Sequence, residues 1–230
     1  MSSSPRRRCK RVLLKLSGEV FARPELLESV LGQLAALRRR RVEVAVVIGG
    51  GNILRGRDAA GMDRAAADRA GMLATVVNGI VLADALSRRR LGVTHLAARA
   101  IAGFVAGYDV ETARRAVAEG VLVLSGGTGN PFFSTDSAAA LRAVELNCDA
   151  LLKATGVAGV YSADPKRNPK AKLYRRLSYE RALAERLAVM DLTAFALCLE
   201  HRVPIVVFDL KRPRAIVEIV AGKTIGSCVC

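Results

Sequence analysis

At 230 residues and 24.5 kDa, with 51% apolar and 25% charged side chains, the chain is long enough to bury a substantial core and too apolar for a disordered protein. Its net charge of +15 comes from 36 basic and 21 acidic residues, and no apolar run approaches the ~18 residues of a membrane span. Five scattered cysteines (9, 148, 198, 228 and 230) cannot all pair, which excludes a disulfide scaffold; no apolar stretch follows Arg6-Arg7-Arg8, so no secretory signal is expected, and a reduced, cytoplasmic protein is.

Residues 11–16 read as a buried strand. Residues 25–40 place Leu26, Leu27, Val30, Leu31, Leu34 and Leu37 on one helical face. A second strand, 42–48, runs into Gly49-Gly50-Gly51-Asn52, and a long helix follows over 65–86. Residues 93–97 predict a strand and 110–119 a helix stopped by Gly120. The strand at 121–125 leads into Gly126-Gly127-Thr128-Gly129-Asn130, followed by a helix over 136–145 and a strand over 150–154. Residues 161–176 read as a polar excursion. Helices over 179–187 and 192–201, a strand over 203–208, a helix over 213–220 and a strand over 225–229 complete the chain. Helical crossovers between short apolar strands predict an α/β fold, a three-layer α/β/α sandwich around a mainly parallel sheet. No linker separates two domains, so residues 1–230 are expected to form one unit.

In such sheets ligands bind at the carboxyl ends of the strands. Four polar segments lie there: Lys15-Leu16-Ser17-Gly18, Gly49-Gly50-Gly51-Asn52 with Arg55, residues 126–130, and Lys153-Ala154-Thr155-Gly156. Successive glycines let backbone N–H groups approach an anion, and two such turns suggest two phosphate-bearing ligands or one long one. The common signatures fail. Gly222-Lys223-Thr224 ends like a P-loop, but Val217 occupies the required glycine position. Gly49-x-Gly51 lacks the third glycine of a dinucleotide fingerprint, at Leu54. Cys198 with His201 is too few ligands for zinc, and two histidines leave little scope for a histidine base. Lysine, arginine, glycine amides, threonine and aspartate remain, the inventory of phosphoryl transfer without a covalent intermediate. Lys15 within an apolar strand is costly to bury unless it meets an anion.

The basic clusters, among them 38–41 and 88–90, would attract polyanions, including nucleic acid. With six Phe, four Tyr and no Trp, a base-stacking platform has little to work with, and a solvated surface is the simpler reading.

Seven stretches in order resemble the uridylate kinases, a branch of the amino acid kinase family: RVLLKLSGE (11–19), VAVVIGGGNILRG (44–56), DRAGMLATVVNGIVLADAL (68–86), GGTGNPFFSTDSAAALRAVE (126–145), LLKATGVAGVYSADPKRNP (151–169), VMDLTAF (189–195) and VPIVVFDL (203–210). The resemblance implies the amino acid kinase fold, with residues to about 150 holding UMP and those from about 151 holding ATP and Mg²⁺. It implies direct transfer of the γ-phosphoryl of ATP to UMP. By that resemblance the catalytic set is Lys15, Arg55, Asp136, Lys153 and Asp191, the two aspartates orienting the lysines. The ATP side comprises Lys15, Leu16, Ser17, Gly18, Gly51, Arg55, Thr155, Tyr161 and Asp164. The UMP side comprises Gly50, Asp68, Thr128, Gly129, Asn130, Pro131, Phe132, Phe133, Ser134 and Thr135.

Simpler readings stand beside these: Asp136 as the N-cap of a helix starting at Ser137, Asp191 as the cap of one starting at Leu192, Tyr161 as packing, and Asp164-Pro165 as a turn. The resemblance implies no dedicated protein site for the metal, a homohexamer, and no membrane. The segment after Glu19 is shorter than in well-studied members and lacks the Gly-rich stretch associated with GTP activation, so that activation is not expected. The rival readings are a kinase of another acid substrate in the superfamily and an oxoanion or molybdenum storage protein of the same fold.

Overall fold

The structure, a computed structural model, describes residues 8–54, 61–165, 167–187 and 190–230. The chain begins with β1 (Arg11–Leu16), a 3-10 turn (Gly18–Ala22), α1 (Pro24–Arg39), β2 (Glu43–Ile48) and α2 (Arg64–Arg88). Next come β3 (Val93–Ala97), β4 (Ala106–Gly107), α3 (Val110–Glu119), β5 (Val121–Ser125), α4 (Thr135–Glu145) and β6 (Ala150–Thr155). After them come β7 (Val160–Tyr161), β8 (Leu173–Tyr174), β9 (Arg176–Leu177) and α5 (Tyr179–Ala184). The last elements are α6 (Leu192–Glu200), β10 (Ile205–Asp209), α7 (Ala215–Val220) and β11 (Ser227–Val229).

Helix starts follow local chemistry. Asp63, Asp109, Ser134, Ser178 and Asp191 each accept a first-turn N–H through the side chain, satisfying donors that the helix itself leaves unpaired. Pro24 opens α1, where its missing N–H costs nothing.

Nine strands form one sheet in the order β4-β3-β5-β2-β1-β6-β10-β11-β9, parallel throughout except for the antiparallel β10–β11 pair. Alternate residues of each strand face opposite layers. Val12, Leu14, Leu16, Val44, Val46 and Ile48 pack with α1, α7 and the end of α2. Leu13, Ala45, Val47, Leu122 and Leu124 pack with α3, α4, α5 and α6. These are the two cores of the expected three-layer sandwich.

The sheet centre positions the site. The crossover from β1 through α1 reaches β2 on one side of β1, whereas that from β5 through α4 passes over to β6 on the other. Crossovers leaving in opposite directions open a crevice at the carboxyl ends of β1, β2, β5 and β6.

The edge strand β4 is absent from the sequence expectation, and two further features differ from it. The polar excursion contains a small β7–β8 hairpin and an edge strand, β9, parallel to β11; strands of two residues carry no periodicity to read. Among the described residues α2 is also the one helix long and apolar enough, by length and composition, to cross a membrane. Here its Ala67, Ala74, Leu82 and Leu86 are buried in the fold.

Candidate functional site

Lys15 and Lys153 are register partners on the adjacent strands β1 and β6, so their side chains leave the same face side by side. That face is covered by α4, and Asp136 in its first turn meets both. Lys15 Nζ lies 2.9 Å from Oδ1 and Lys153 Nζ 2.7 Å from Oδ2. The Lys153 contact is a hydrogen bond, whereas Oδ1 takes part only in an ion pair, with no donor among the described residues aligned on it. Burial alone would raise the carboxyl pKa of Asp136, but the charges of Lys15 and Lys153 outweigh it and hold the group below the usual carboxylate range.

Asp136 does not cap α4. Ser134 does, accepting the N–H groups of Asp136 (2.9 Å) and Ser137 (3.2 Å), which leaves the Asp136 carboxylate to the lysines. Asp191 caps α6 by accepting the Ala194 N–H at 2.8 Å. It is expected from the resemblance to orient the lysines; its other hydrogen bonds come from the hydroxyls of Ser134 and Ser137. It reaches the cluster through the first turn of α4, because α4 and α6 pack as neighbours on this face.

Two cavities share Lys15 and Ser17 in their walls. The larger, about 590 Å³, gathers Gly18, Gly50, Gly51, Asp68, Asn130, Phe132, Phe133, Ser134, Thr135 and Asp191 from the expected set. The smaller, about 270 Å³, lies on the other side of Lys15, with Lys153, Thr155, Gly156 and Lys211 in its wall. The glycine turn after β2 is held close: a Cβ on Gly50 would stand 2.9 Å from the Gly71 carbonyl oxygen and 3.0 Å from the Thr75 nitrogen. Only glycine fits that approach without displacing helix backbone.

Asp68, in the second turn of α2, accepts from Arg64 Nε at 2.9 Å and from the Phe132 N–H at 2.8 Å, so it ties α2 to the loop at 128–135. Phe132 and Phe133 are exposed at the mouth of the larger cavity.

Several expected residues sit elsewhere. The Leu16 side chain is fully buried in the core, leaving only its backbone free to meet a ligand, and its carbonyl accepts the Gly49 N–H. Thr128, Gly129 and Pro131 belong to the same loop as Asn130 but do not line the cavity. Thr128 braces the turn through Asn130, and the Gly129 carbonyl accepts from Arg99 Nε at 3.0 Å. Thr155 stays in the wall of the smaller cavity, but its hydroxyl donates to the Val157 carbonyl at 2.8 Å and so shapes its own turn. Tyr161 lies in the β7–β8 hairpin and Asp164 in the turn beyond it; neither lines either cavity. Arg55 lies outside the described residues.

Arg64, Thr75, Asn78 and Arg99 also touch the site or its loops, and sequence reasoning did not single them out. The signal for Thr75 and Asn78 was available: two polar residues one turn apart on the face of α2 that also carries Gly71 and Gly79.

The donor set suits a particular kind of metal. Among the described residues no three His, Cys, Asp or Glu side chains cluster, and Asp136 is committed to two lysines. Such a site fits a hard cation carried largely on phosphate oxygens and water.

A family model described as the amino acid kinase family matches residues 10–209. The uridylate kinase of Marinobacter nauticus is 46% identical over 238 residues, covering 99% of this chain and 98% of that protein. The uridylate kinase of Pseudomonas aeruginosa is 44% identical over 232 residues, covering 96% and 95%. Among solved structures, UMP kinase from Bacillus anthracis matches with a TM-score of 0.93 at 34% identity, covering 97% of this chain and 96% of that one. UMP kinase from Ureaplasma parvum matches with a TM-score of 0.89, also at 34% identity, covering 97% and 99%.

Proposed function

This chain belongs to the amino acid kinase family, within its uridylate kinase branch, and on that premise we propose that it transfers the γ-phosphoryl group of ATP to UMP, giving UDP and ADP. The observation that carries the reading is the Lys15–Asp136–Lys153 cluster at the meeting point of two cavities. The larger cavity, walled by Asp68 and the loop at 128–135, is assigned to UMP. The smaller, beside Lys153 and Thr155, is assigned to the phosphates of ATP. Residues to about 150 thus form the acceptor half and those from about 151 the donor half.

An oxygen of the UMP phosphate attacks the γ-phosphorus, the bond from that phosphorus to the ADP oxygen breaks, and ADP leaves with the electron pair. The attacking oxygen is already anionic, so no side chain has to remove a proton. The work of the protein is alignment and charge neutralisation. Lys15 faces both cavities and neutralises charge on the group in transit, with Lys153 beside it on the donor side. Asp136 holds the two ammonium groups together, and Asp191 steadies the turn that carries Asp136. The turn at Gly50 and Gly51 presents backbone close to the transferring group. Mg²⁺ carried in on ATP would neutralise phosphate charge there, held by phosphate oxygens and water.

Copies of the chain are proposed to associate through the outer face of α2, and the family expectation is a homohexamer. Leu73, Val77, Ile80 and Val81 are 56, 51, 42 and 45% exposed and form one stripe at helical spacing. Leu73→Glu with Val77→Glu is expected to lower the solution mass in sedimentation analysis; an unchanged mass would refute this assignment. A reduced, cytoplasmic setting fits five cysteines of which none is in a disulfide. Burial pushes the Cys148 and Cys198 thiols up to about 12, so both are protonated core fillers.

Product analysis with Mg-ATP and UMP, CMP, AMP or GMP in parallel tests the function. UDP from UMP, with little product from CMP, is expected, because a site built to hydrogen-bond uracil leaves polar groups unpaired against cytosine. Absence of UDP from folded protein would return the weight to oxoanion storage or an acid kinase, which metal analysis and an acid-substrate panel would separate.

A further inference from the structure

The inner face of α2 grips both glycine turns of the site. Asn78, buried at 3% exposure, donates through Nδ2 to the Gly49 carbonyl at 2.8 Å and to Asn52 Oδ1 at 2.8 Å, and its Oδ1 accepts from Asn52 Nδ2 at 3.3 Å. The Gly49 carbonyl can only accept, which fixes the orientation of the Asn78 amide. One turn earlier Thr75, at 2% exposure, accepts the Gly126 N–H at 2.6 Å and donates to the Met72 carbonyl at 2.7 Å.

Neither residue is a favoured choice for a helix interior, and the bonds of Asn78 leave its own helix for the loop after β2. The clasp extends to β1 as well. A Cβ on Gly18 would collide with the Asn52 carboxamide, so Asn52 packs directly on the turn that follows Lys15. The Asn78–Asn52 pair therefore fixes the gap between the turn at Ser17-Gly18 and the turn at Gly49–Asn52. Those two turns line the larger cavity next to Lys15.

We infer that Asn78 is a positioning residue for phosphoryl transfer, holding the Gly49–Asn52 turn in register with Lys15, and that Thr75 holds the Gly126 turn on the UMP side. The inference rests on the kinase reading above. It makes the two residues separable by kinetics. The turn held by Asn78 lies beside the transferring group, so its displacement lowers turnover. The turn held by Thr75 leads into the loop assigned to UMP, so its displacement weakens that substrate alone.

The experiment is steady-state kinetics with UMP and ATP varied in turn, with thermal unfolding of each protein as a parallel reading. Asn78→Asp keeps the shape but puts a carboxylate oxygen against the Gly49 carbonyl. It is expected to lower kcat roughly 10- to 100-fold, the scale of a misplacement of about 1 Å near the chemistry. Thr75→Val is expected to raise KM for UMP about 10-fold with KM for ATP unchanged, and Thr75→Ser to restore it. Gln33→Ala serves as the control for general destabilisation: Gln33 is buried on α1, accepts the Ile216 N–H of α7 at 2.9 Å, and its loss should lower the unfolding temperature while leaving kcat intact. UDP formation by the unaltered chain with Asn78→Asp kinetics within twofold of it would overturn this inference alone. So would a fall in kcat that Gln33→Ala reproduces. If Asn78→Asp does not fold, the Thr75 pair decides: equal UMP affinity in Thr75→Val and Thr75→Ser overturns the inference. No UDP from the unaltered chain would overturn the kinase reading, and this inference with it.

Discussion

Asp136→Asn removes one negative charge from between two ammonium groups while keeping the shape of the side chain. Lys15 and Lys153 approach the carboxylate at 2.9 and 2.7 Å, and the three side chains are only 14, 15 and 13% exposed, so solvent screens the cluster little. Breaking a buried ion pair of this kind by removing one partner costs ~3–5 kcal/mol, because the remaining charge is stranded. The asparagine carbonyl still accepts from one lysine, which places the loss near ~3 kcal/mol. At ~2–4 °C per kcal/mol for a chain of this size, the unfolding temperature should fall by about 6–12 °C.

Nucleotide phosphates supply the missing negative charge, so saturating ATP should restore more of the unfolding temperature in the variant than it adds to the unaltered protein. Turnover should fall roughly 10- to 100-fold as the lysines lose their common orientation. Thermal unfolding with and without ATP, together with UDP formation, measures all three effects. A drop in unfolding temperature below about 2 °C with turnover within twofold would refute the reasoning, since the two lysines would then not depend on Asp136.

Other outcomes follow from the same geometry. Lys15→Met should lower turnover about 100- to 1000-fold, the usual cost of losing one donor to developing charge, while the protein stays folded with Asp136 paired to Lys153; turnover within tenfold would remove Lys15 from its assigned role. The His95 imidazole, beside Ser125 at 2.8 Å, is held below the usual histidine range by burial. Above a pH of about 6.5 it is neutral in both folded and unfolded chains and costs nothing. Below that value the unfolded chain binds the proton more readily, so stability should decline until the folded-state pKa is reached and then level off. Unfolding temperatures between pH 5 and 8 should show this extra decline in the unaltered protein and not in His95→Gln; parallel curves would refute it.

Much of the fold was legible because local rules carry it. Apolar runs bounded by glycine gave the central strands, and the spacing of Val30, Leu31, Leu34 and Leu37 gave the buried stripe of α1. The glycine turns after β2 and β5 were visible as backbone without side chains, and their placement at strand ends followed from the fold class. What only the tertiary structure decided is which distant residues become neighbours. Lys15 and Lys153 are separated by most of the chain, yet the parallel register of β1 and β6 sets them side by side.

From sequence, capping stands as the simpler alternative to lysine orientation for Asp136; the structure gives the cap to Ser134, two residues earlier, and frees the carboxylate for the lysines. Asp191 was expected at the lysines and is found on two serines, because helix packing, which no local pattern encodes, brings α6 beside the start of α4. Thr75 and Asn78 carry no local signal of which glycine turns they hold, because those turns come from other parts of the chain. Periodicity and capping act within a few residues and can be read along a chain. Sheet register and helix packing act between segments far apart in sequence, and they alone determine which charges and hydrogen bonds meet.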